Sequence, residues 1–273
     1  MRINQNISAF NSYRNLSVTN GQMQKTLEKL SSGFRINRAS DDAAGLVKSE
    51  NLRSEINGSR QATRNAQDGI SFAQTAEGAL NEVHTILQRM RTLAVDAANT
   101  ATTDGTAQQL EIDQLVQELD AIGARTTFAG NAVFQDYTTT GLTFQVGPNE
   151  TADNQLVLND NLLMSSANVF GSDISGVDLA AAATTAISTF DAAIDSVSAA
   201  RSTLGATQNR LEHTIANLQV AVENLSASES RIRDTDMAEE MVNFTRHQIM
   251  TQAGTAMLAQ ANQSPQSVLS LLG

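Results

Sequence analysis

An apolar heptad repeat from residue 183 to residue 225 limits the fold of this chain more than any other feature. Apolar residues recur there at alternating intervals of three and four, and eleven of the thirteen positions are apolar. Such a repeat predicts a helix that packs along its length against other helices. The positions are Ala183, Ile187, Phe190, Ile194, Val197, Arg201, Leu204, Gln208, Leu211, Ile215, Leu218, Val222 and Leu225.

Two members of this repeat, Arg201 and Gln208, are polar and lie one heptad apart. A polar group on a buried stripe costs stability but penalises slipped registers. One hypothesis is therefore that this pair fixes how the helix lies against its neighbours. The alternative is that the long side chain of Arg201 extends past the stripe to a surface carboxylate. The sequence leaves both open.

Two further helices precede this one. A second heptad stripe begins with small residues, so a partner helix can approach its first half closely; it comprises Ala62, Ala66, Gly69, Ala73, Ala76, Leu80, Val83, Leu87, Met90, Ala94 and Ala97. Thr106 and Gln109 then fit a capping box for a third helix. That helix presents Ile112, Leu115, Leu119 and Ile122. The patterns predict helices at about 44–98, 106–126 and 180–226, packed as an elongated bundle.

The pattern changes between about residues 128 and 178. The segment TFQVGPNETADNQLVLND has two β-type runs around a Gly-Pro-Asn turn, which predicts a small β-hairpin region. The fold class is therefore mainly α: a helical rod with a small β-hairpin region, flanked by two terminal helices.

Both ends of the chain carry amphipathic helical patterns. Asp236 and Glu239 indicate the start of the last helix, and Ser264 with Pro265 predicts a short restart near its end. A pair of terminal helices buries only one stripe of each, so their apolar faces call for neighbouring copies. The candidate assembly residues in these patterns are Ile3, Ile7, Phe10, Leu16, Leu27, Leu30, Phe34, Met237, Met241, Phe244 and Leu258.

Composition excludes several classes of function. The chain has no Cys, which rules out disulfides and thiolate chemistry, and no stretch is long and apolar enough for a signal peptide or a membrane span. Its formal charge is −11, and residues 96–195 hold fourteen acids against one base. An acidic centre repels nucleic acid and anionic lipid, so we expect neither partner.

Catalytic patterns are weak. The three histidines, His84, His213 and His247, have no metal-ligand spacing, and no phosphate-binding or zinc-protease motif occurs. Asp41 and Asp42 precede a predicted helix, which indicates caps rather than acid–base chemistry. We therefore expect no enzyme activity, no metal site and no cofactor.

Three long segments resemble bacterial flagellin. They are LSSGFRINRASDDAAGL (30–46), RSTLGATQNRLEHTIANL (201–218) and the run from SRIRDTDMAEE to QSPQSVLSLL (230–272). The resemblance covers roughly residues 1–134 and 180–273. It implies an inner-tube domain of residues 1–42 and 228–273, in which the terminal helices pair in a coiled-coil-like way, and a rod domain of residues 43–227. The outer domains of large flagellins are missing.

The resemblance also implies function and partners. A flagellin assembles with copies of itself into the extracellular flagellar filament that drives swimming. It leaves the cell by flagellar type III export, with the export apparatus, a flagellin chaperone, and hook-associated and cap proteins as partners. The hook–filament junction protein is similar in plan and is the alternative. A chemoreceptor-type signalling hairpin is a more distant alternative.

One further segment is similar to the part of flagellin that the Toll-like innate receptor recognises. It comprises QRMRTLAV (88–95) and LEI (110–112), which points to Arg89, Leu93 and Glu111. Arg89 and Leu93 are predicted to lie beside the second heptad stripe, not on it. The alternative is that this surface contacts the next subunit.

Overall fold

The computed structural model describes residues 5–99, 105–135, 137, 141–158, 162, 164–165, 168–170 and 172–272. Two compact units are present, one of residues 1–55 with 224–273 and one of residues 56–223. The helices and strands are α1 Ile7–Ser32, α2 Ala43–Ala97, α3 Thr106–Arg125, β1 Thr127–Phe128, β2 Asn131–Ala132, β3 Leu142–Gln145, β4 Gln155–Leu158, β5 Met164–Ser165, β6 Asn168–Val169, α4 Leu179–Arg233 and α5 Met237–Leu272. The mainly α fold class is confirmed.

The core of the unit formed by residues 56–223 is built on the predicted stripe of α2. Every residue of that stripe from Ala62 to Ala97 is buried, as predicted. At Gly69 the approach is so close that a Cβ atom would lie 3.1 Å from Leu211 and 3.2 Å from Phe144. Small residues on α2 therefore allow α4 and the β region to pack directly on its backbone.

The predicted stripe of α4 packs on the core, but only Phe190, Val197, Leu204 and Leu211 of its thirteen positions are buried. The buried residues are Ala186, Phe190, Ala193, Val197, Ala200, Leu204, Thr207 and Leu211. Ile187, Ile194, Arg201 and Gln208 are only half-buried beside this stripe. Ala186, Ala193, Ala200 and Thr207 have small side chains, which allow the neighbouring elements to approach closely. Arg201 and Gln208 thus flank the buried stripe and do not interrupt it.

Arg201 extends from this flank toward the surface. Its guanidinium lies 3.8 Å from the carboxylate of Glu77, and 32% of its side chain is exposed. This placement agrees with the alternative in which the side chain passes the stripe to reach an acid. The Nε2 atom of Gln208 is buried without a hydrogen-bond partner. A role of the pair in setting register stays a prediction.

The β region contains the predicted hairpin. β3 and β4 pair antiparallel with Leu142 opposite Leu158 and Gln145 opposite Gln155. Their connection is longer than a tight turn and includes a short 3-10 helix, Ala152–Asn154. In the described part of the chain, β1 with β2 and β5 with β6 form two more antiparallel pairs.

The capping box predicted for α3 is wrong. Gly105 occupies the N-cap in a left-handed conformation, with φ of 77°, and Thr106 is already the first helical residue. The side chain of Gln109 serves another purpose. It donates to the carbonyl of Val177 at 3.1 Å and accepts from the backbone N–H of Leu179 at 2.9 Å. Gln109 therefore ties α3 to the first residue of α4.

Two helix ends also differ from prediction. α4 ends at Arg233 rather than near residue 226. α5 is one helix from Met237 to Leu272 and shows no restart at Pro265. A proline removes one backbone donor from a helix, so continuity through Pro265 requires another donor for the carbonyl four residues earlier.

The placement of the buried stripe on α4 is testable with neighbouring residues. Ala200→Leu inserts bulk at a position that is 4% exposed, so it should lower the free energy of unfolding by about 1–3 kcal/mol. Arg201→Leu, one residue further, should change it by less than about 1 kcal/mol, because the ion pair it removes is long and partly exposed. Urea unfolding followed by circular dichroism measures both. Equal losses of unfolding free energy in the two variants would contradict the placement of Arg201 outside the buried stripe.

Candidate assembly interface

The first terminal helix, α1, is delimited by its own caps. The Oδ1 atom of Asn6 accepts from the backbone N–H of Ala9 at 3.1 Å, which satisfies a free donor at the start of the helix. Gly33 ends the helix in the left-handed conformation with φ of 75°, and its N–H donates to the carbonyl of Lys29 at 2.8 Å. These local signals define the helix without extensive burial.

Burial on α1 is sparse. Of its 26 residues only Thr26 is buried. Large apolar side chains are instead exposed, including Phe10 at 71% and Ile7 at 66%. The other exposed apolar residues of α1 are Tyr13, Val18 and Leu27. A helix with this much exposed apolar surface is typical of an interaction face.

The second terminal helix, α5, presents a similar face. Asp236 caps it by accepting from the backbone N–H groups of Ala238 at 2.8 Å and Glu239 at 3.3 Å, as predicted. A groove of about 490 Å³ runs along one side of the helix. Its lining is mainly apolar and comprises Met241, Val242, Thr245, Arg246, Ile249 and Met250. Further along the helix, Met257 is 60% exposed.

The two terminal helices pack against each other in an antiparallel arrangement. Leu16 of α1 contacts α5 at Gly254, where an added Cβ would lie 3.2 Å from the leucine side chain. Nearer the other end of the pair, Lys29 lies 3.5 Å from the buried carboxylate of Glu240. This pairing covers one side of each helix and leaves the faces described above uncovered.

The segments that follow α1 and α4 are also paired. Phe34 and Asp234 form an isolated antiparallel bridge. The N–H of Arg35 donates to the carbonyl of Arg233 at 2.6 Å, and the N–H of Thr235 donates to the carbonyl of Gly33 at 3.0 Å. Main-chain hydrogen bonds therefore join parts of the chain that are about 200 residues apart in sequence.

The side chain of Arg233 connects this bridge to α2. Its guanidinium lies 4.9 Å from the centre of the Phe34 ring, and Nη1 donates to Glu50 at 2.7 Å. Only 14% of the Arg233 side chain is exposed. The hydrogen bond from Arg233 lowers the pKa of the Glu50 carboxyl below its ordinary value of 4.5. A cation–π contact with Phe34 and a charge-assisted hydrogen bond to Glu50 thus hold the Arg233 side chain.

Asp41 and Asp42 have different roles in the loop before α2. Asp42 caps α2, since it accepts from the N–H of Gly45 at 2.8 Å. Asp41 instead accepts from the N–H of Arg38 at 3.0 Å and from that of Asn37 at 3.3 Å. The hydrogen bond from Arg38 is the main cause that lowers the pKa of Asp41. The predicted cap is therefore confirmed for Asp42, whereas it is wrong for Asp41, which binds the loop before α2.

The predicted assembly residues divide into two groups. Ile7, Phe10, Leu27, Met237 and Met241 are exposed, whereas Leu16, Leu30, Phe34, Phe244 and Leu258 are half-buried. Ile3 lies outside the described residues. The exposed group is available to a partner, and the half-buried group belongs to the terminal unit itself. Their role in assembly stays a prediction.

The residues of the receptor-like segment do not form one surface. Arg89 and Glu111 are joined by an ion pair of 2.7 Å in which both side chains are partly exposed. Leu93 is buried at 7% exposure and belongs to the core of residues 56–223. Leu93 lies beside the predicted stripe, and it is buried because this section of α2 packs on a wider arc than a single heptad stripe.

Sequence reasoning missed the residues that depend on long-range contacts. Arg233 and Glu50 are the clearest cases, because each resembles an ordinary surface charge in its local sequence. Gly33 carried a readable signal, since glycine just after a helical stripe is a common C-cap. The end of α4 at Arg233 followed by a capped start at Asp236 could have indicated a turn, but not its partner.

Within the described ranges, no group of three His, Cys, Asp or Glu side chains could hold a metal ion. No helix in this part of the chain is long and apolar enough to cross a membrane.

Comparison with known proteins gives matches at both ends of the chain. The model of the bacterial flagellin N-terminal helical region matches residues 3–139, and that of the C-terminal helical region matches residues 187–272. The chain is 49% identical to a flagellin of Halalkalibacterium halodurans and 48% identical to a flagellin of Bacillus subtilis. It is 45% identical to the flagellar filament 33 kDa core protein of Treponema phagedenis. Each alignment covers 100% of both chains.

The Arg233–Glu50 pair predicts a pH-dependent contribution to the terminal unit. The folded pKa of Glu50 is lowered, so its contribution is present above the ordinary value of 4.5 and is lost as the pH falls through the lowered value. Glu50→Gln should therefore weaken assembled protein at pH 7, and the difference from the unaltered chain should shrink toward pH 3. Sedimentable protein measured against pH reports this.

The matched control is Glu55→Gln, which removes the same charge from an exposed position further along α2. A deficit of Glu50→Gln that is constant from pH 7 to pH 3, or one that Glu55→Gln reproduces, would contradict the pairing.

Proposed function

Since this chain belongs to the bacterial flagellin family, we propose that it is a structural subunit of a flagellar filament and that it assembles through the exposed faces of α1 and α5. The relatives named as flagellins and as a filament core protein match over their whole length, which supports the filament role. Motility is the function that such a filament serves.

The single observation that carries the proposal is the apolar surface that the paired terminal helices leave uncovered. Fully burying one large apolar side chain is worth about 1.5–3 kcal/mol. Fixing one residue's backbone costs about 1–2 kcal/mol. With one buried residue in α1, a lone pair of terminal helices has little burial to offset that ordering cost. Contact with neighbouring copies supplies the missing burial.

This balance makes folding of the ends dependent on assembly. Residues 1–42 and about 228–273 are then largely disordered in the monomer and helical in the filament. Residues 43–227 have the larger core and hold their fold without a partner. We accordingly propose residues 1–42 with 228–273 as the inner-tube domain and residues 43–227 as the rod domain.

The first test is polymerisation of the purified protein. In salting-out buffer with sheared filament seeds, the chain should grow into long tubes of uniform diameter, visible by negative-stain electron microscopy. The hook–filament junction protein, the alternative, should not elongate. Phe10→Ser should raise the protein concentration needed for growth, because it removes an apolar side chain that is 71% exposed.

Val157→Ser is the matched control, since Val157 is an exposed apolar residue on β4, outside the terminal helices. Persistent monomer under these conditions would overturn the filament role. Equal effects of the two substitutions would overturn the role of the terminal faces.

The second test concerns the order of the termini. Limited proteolysis of the monomer followed by mass spectrometry should show cleavage clustered in both ends and leave a core near residues 43–227. In the filament the same sites should be protected. The trimmed core should keep its helical circular dichroism but no longer polymerise. Protected termini in a confirmed monomer, or normal filaments from the core, would refute the coupling of folding to assembly.

We propose further partners from the family resemblance alone. They are the type III export apparatus, a flagellin chaperone, and the hook-associated and cap proteins, with secretion to the cell exterior as the consequence. The chain has no enzymatic role in this proposal. The Arg89–Glu111 pair supports a contact with the Toll-like innate receptor at the exposed edge of that segment. Surface plasmon resonance with Arg89→Ala and the receptor ectodomain tests that contact.

A further inference from the structure

One carbonyl in the interior of α5 lacks its usual helical donor. In an α-helix the carbonyl of each residue accepts from the N–H four residues later. The residue four positions after Ala261 is Pro265, which has no N–H. α5 nevertheless continues to Leu272. The oxygen of Ala261 is therefore an acceptor that the helix itself leaves available.

The side chain of Asn6 supplies a donor at this position. Its Nδ2 atom donates to the carbonyl oxygen of Ala261 at 2.7 Å, across 255 residues of sequence. The Oδ1 atom of the same amide accepts from the N–H of Ala9 at 3.1 Å. The amide oxygen of Asn6 thus caps the first turn of α1, and its amide nitrogen donates to a carbonyl in the interior of α5.

This acceptor marks a single position along α5. The other interior carbonyls of an α-helix are engaged by N–H groups four residues later. Pro148 and Pro265 are the two prolines of the chain, so Pro265 is the sole proline in α5. A slip of α1 along α5 by one turn, about 5.4 Å, would remove the amide from the available oxygen. The hydrogen bond therefore distinguishes one register from its neighbours.

The other contacts of the pair agree with the same antiparallel register. Leu16 faces Gly254, Lys29 lies beside Glu240, and Phe34 pairs with Asp234. Asn6 and Ala261 extend this series to the far end of the pair. The apolar contacts of Leu16 tolerate small shifts, whereas a hydrogen bond to one oxygen does not.

We propose that Asn6 is a positioning residue for assembly: its amide nitrogen replaces the N–H that Pro265 lacks and thereby fixes the register of α1 on α5. The inference rests on the proposed filament function, because the terminal pair orders when the chain assembles. The proline and the asparagine act as a matched pair. Pro265 leaves the carbonyl oxygen of Ala261 without its helical donor, and the amide of Asn6 donates to that oxygen.

A double-mutant cycle tests this pairing. Asn6→Asp keeps a capping oxygen for Ala9 but replaces the amide donor with a carboxylate that repels the Ala261 oxygen. Pro265→Ala restores the missing N–H and so engages that oxygen within α5. The readout is the critical concentration for seeded growth, measured as the protein left in solution after sedimentation of filaments.

In the background with Pro265 unchanged, Asn6→Asp should raise the critical concentration about fivefold or more. This is the size expected when one hydrogen bond of ordinary strength is lost. In the Pro265→Ala background the same change should raise it less than about twofold. Asn6→Ser, which keeps a capping oxygen but no amide donor, should follow the same pattern. Asn15→Asp, which adds the same charge at an exposed position of α1, should have little effect in either background.

Equal fold-changes in the two backgrounds would overturn the pairing and leave Asn6 as a cap only. No change in either background would overturn it as well. If Asn6→Asp does not polymerise at all, rescue by Pro265→Ala supports the proposal and failure of rescue overturns it. Failure of the proposed function is distinguishable, because the unaltered chain would then not elongate seeds.

Discussion

The pairing of α1 with α5 leaves most of the apolar surface of both helices uncovered. The terminal unit therefore buries far less apolar surface than the unit of residues 56–223. α1 buries one residue of 26, whereas the α2 stripe from Ala62 to Ala97 is buried throughout. The unit of residues 56–223 therefore has a large core of its own, whereas under the proposed function the terminal unit gains its missing burial from other copies of the chain. A filament subunit needs both properties, since it must remain dispersed as a monomer and associate stably with other copies in the filament.

The terminal unit supplements its thin burial with specific polar contacts. The bridge at Phe34 and Asp234, the stacked guanidinium of Arg233 and the amide of Asn6 each join segments distant in sequence. Such contacts add little stability where solvent reaches them. They do select one arrangement among several that apolar faces alone would accept, because hydrogen bonds require defined distances and angles.

Much of this fold could be predicted from periodicity, and its failures have a common cause. The stripe of α2 was correct because its apolar residues share one face, although the buried face is wider and includes Leu93 beside the stripe. On α4 the residues at 186 and 187, and again at 193 and 194, are both apolar, so hydropathy did not decide which of them is buried. In the structure Ala186 and Ala193 are buried, and Ile187 and Ile194 are half-buried beside them. Arg201 consequently looked like an interruption although it lies at the edge.

The parts of the candidate site that could not be predicted are those fixed by distant partners. Asp236 and Asp42 cap helices through neighbouring N–H groups, so local sequence sufficed for them. Gln109, Arg233 and Asn6 act on groups about 70, 183 and 255 residues away. Nothing in their own sequence neighbourhoods specifies those groups, and Gln109 was accordingly assigned to a local cap that it does not form.

The separation between Asn6 and Ala261 has a kinetic consequence. Before the intervening chain folds, closing a flexible loop of 255 residues would cost about 5 kcal/mol of chain entropy from the length term alone, whereas helices form through contacts a few residues apart. We therefore expect the terminal pair to be the last part of the chain to form. Under the proposed coupling of folding to assembly, a chain whose terminal pair is still open lacks the surface that the end of a growing filament binds.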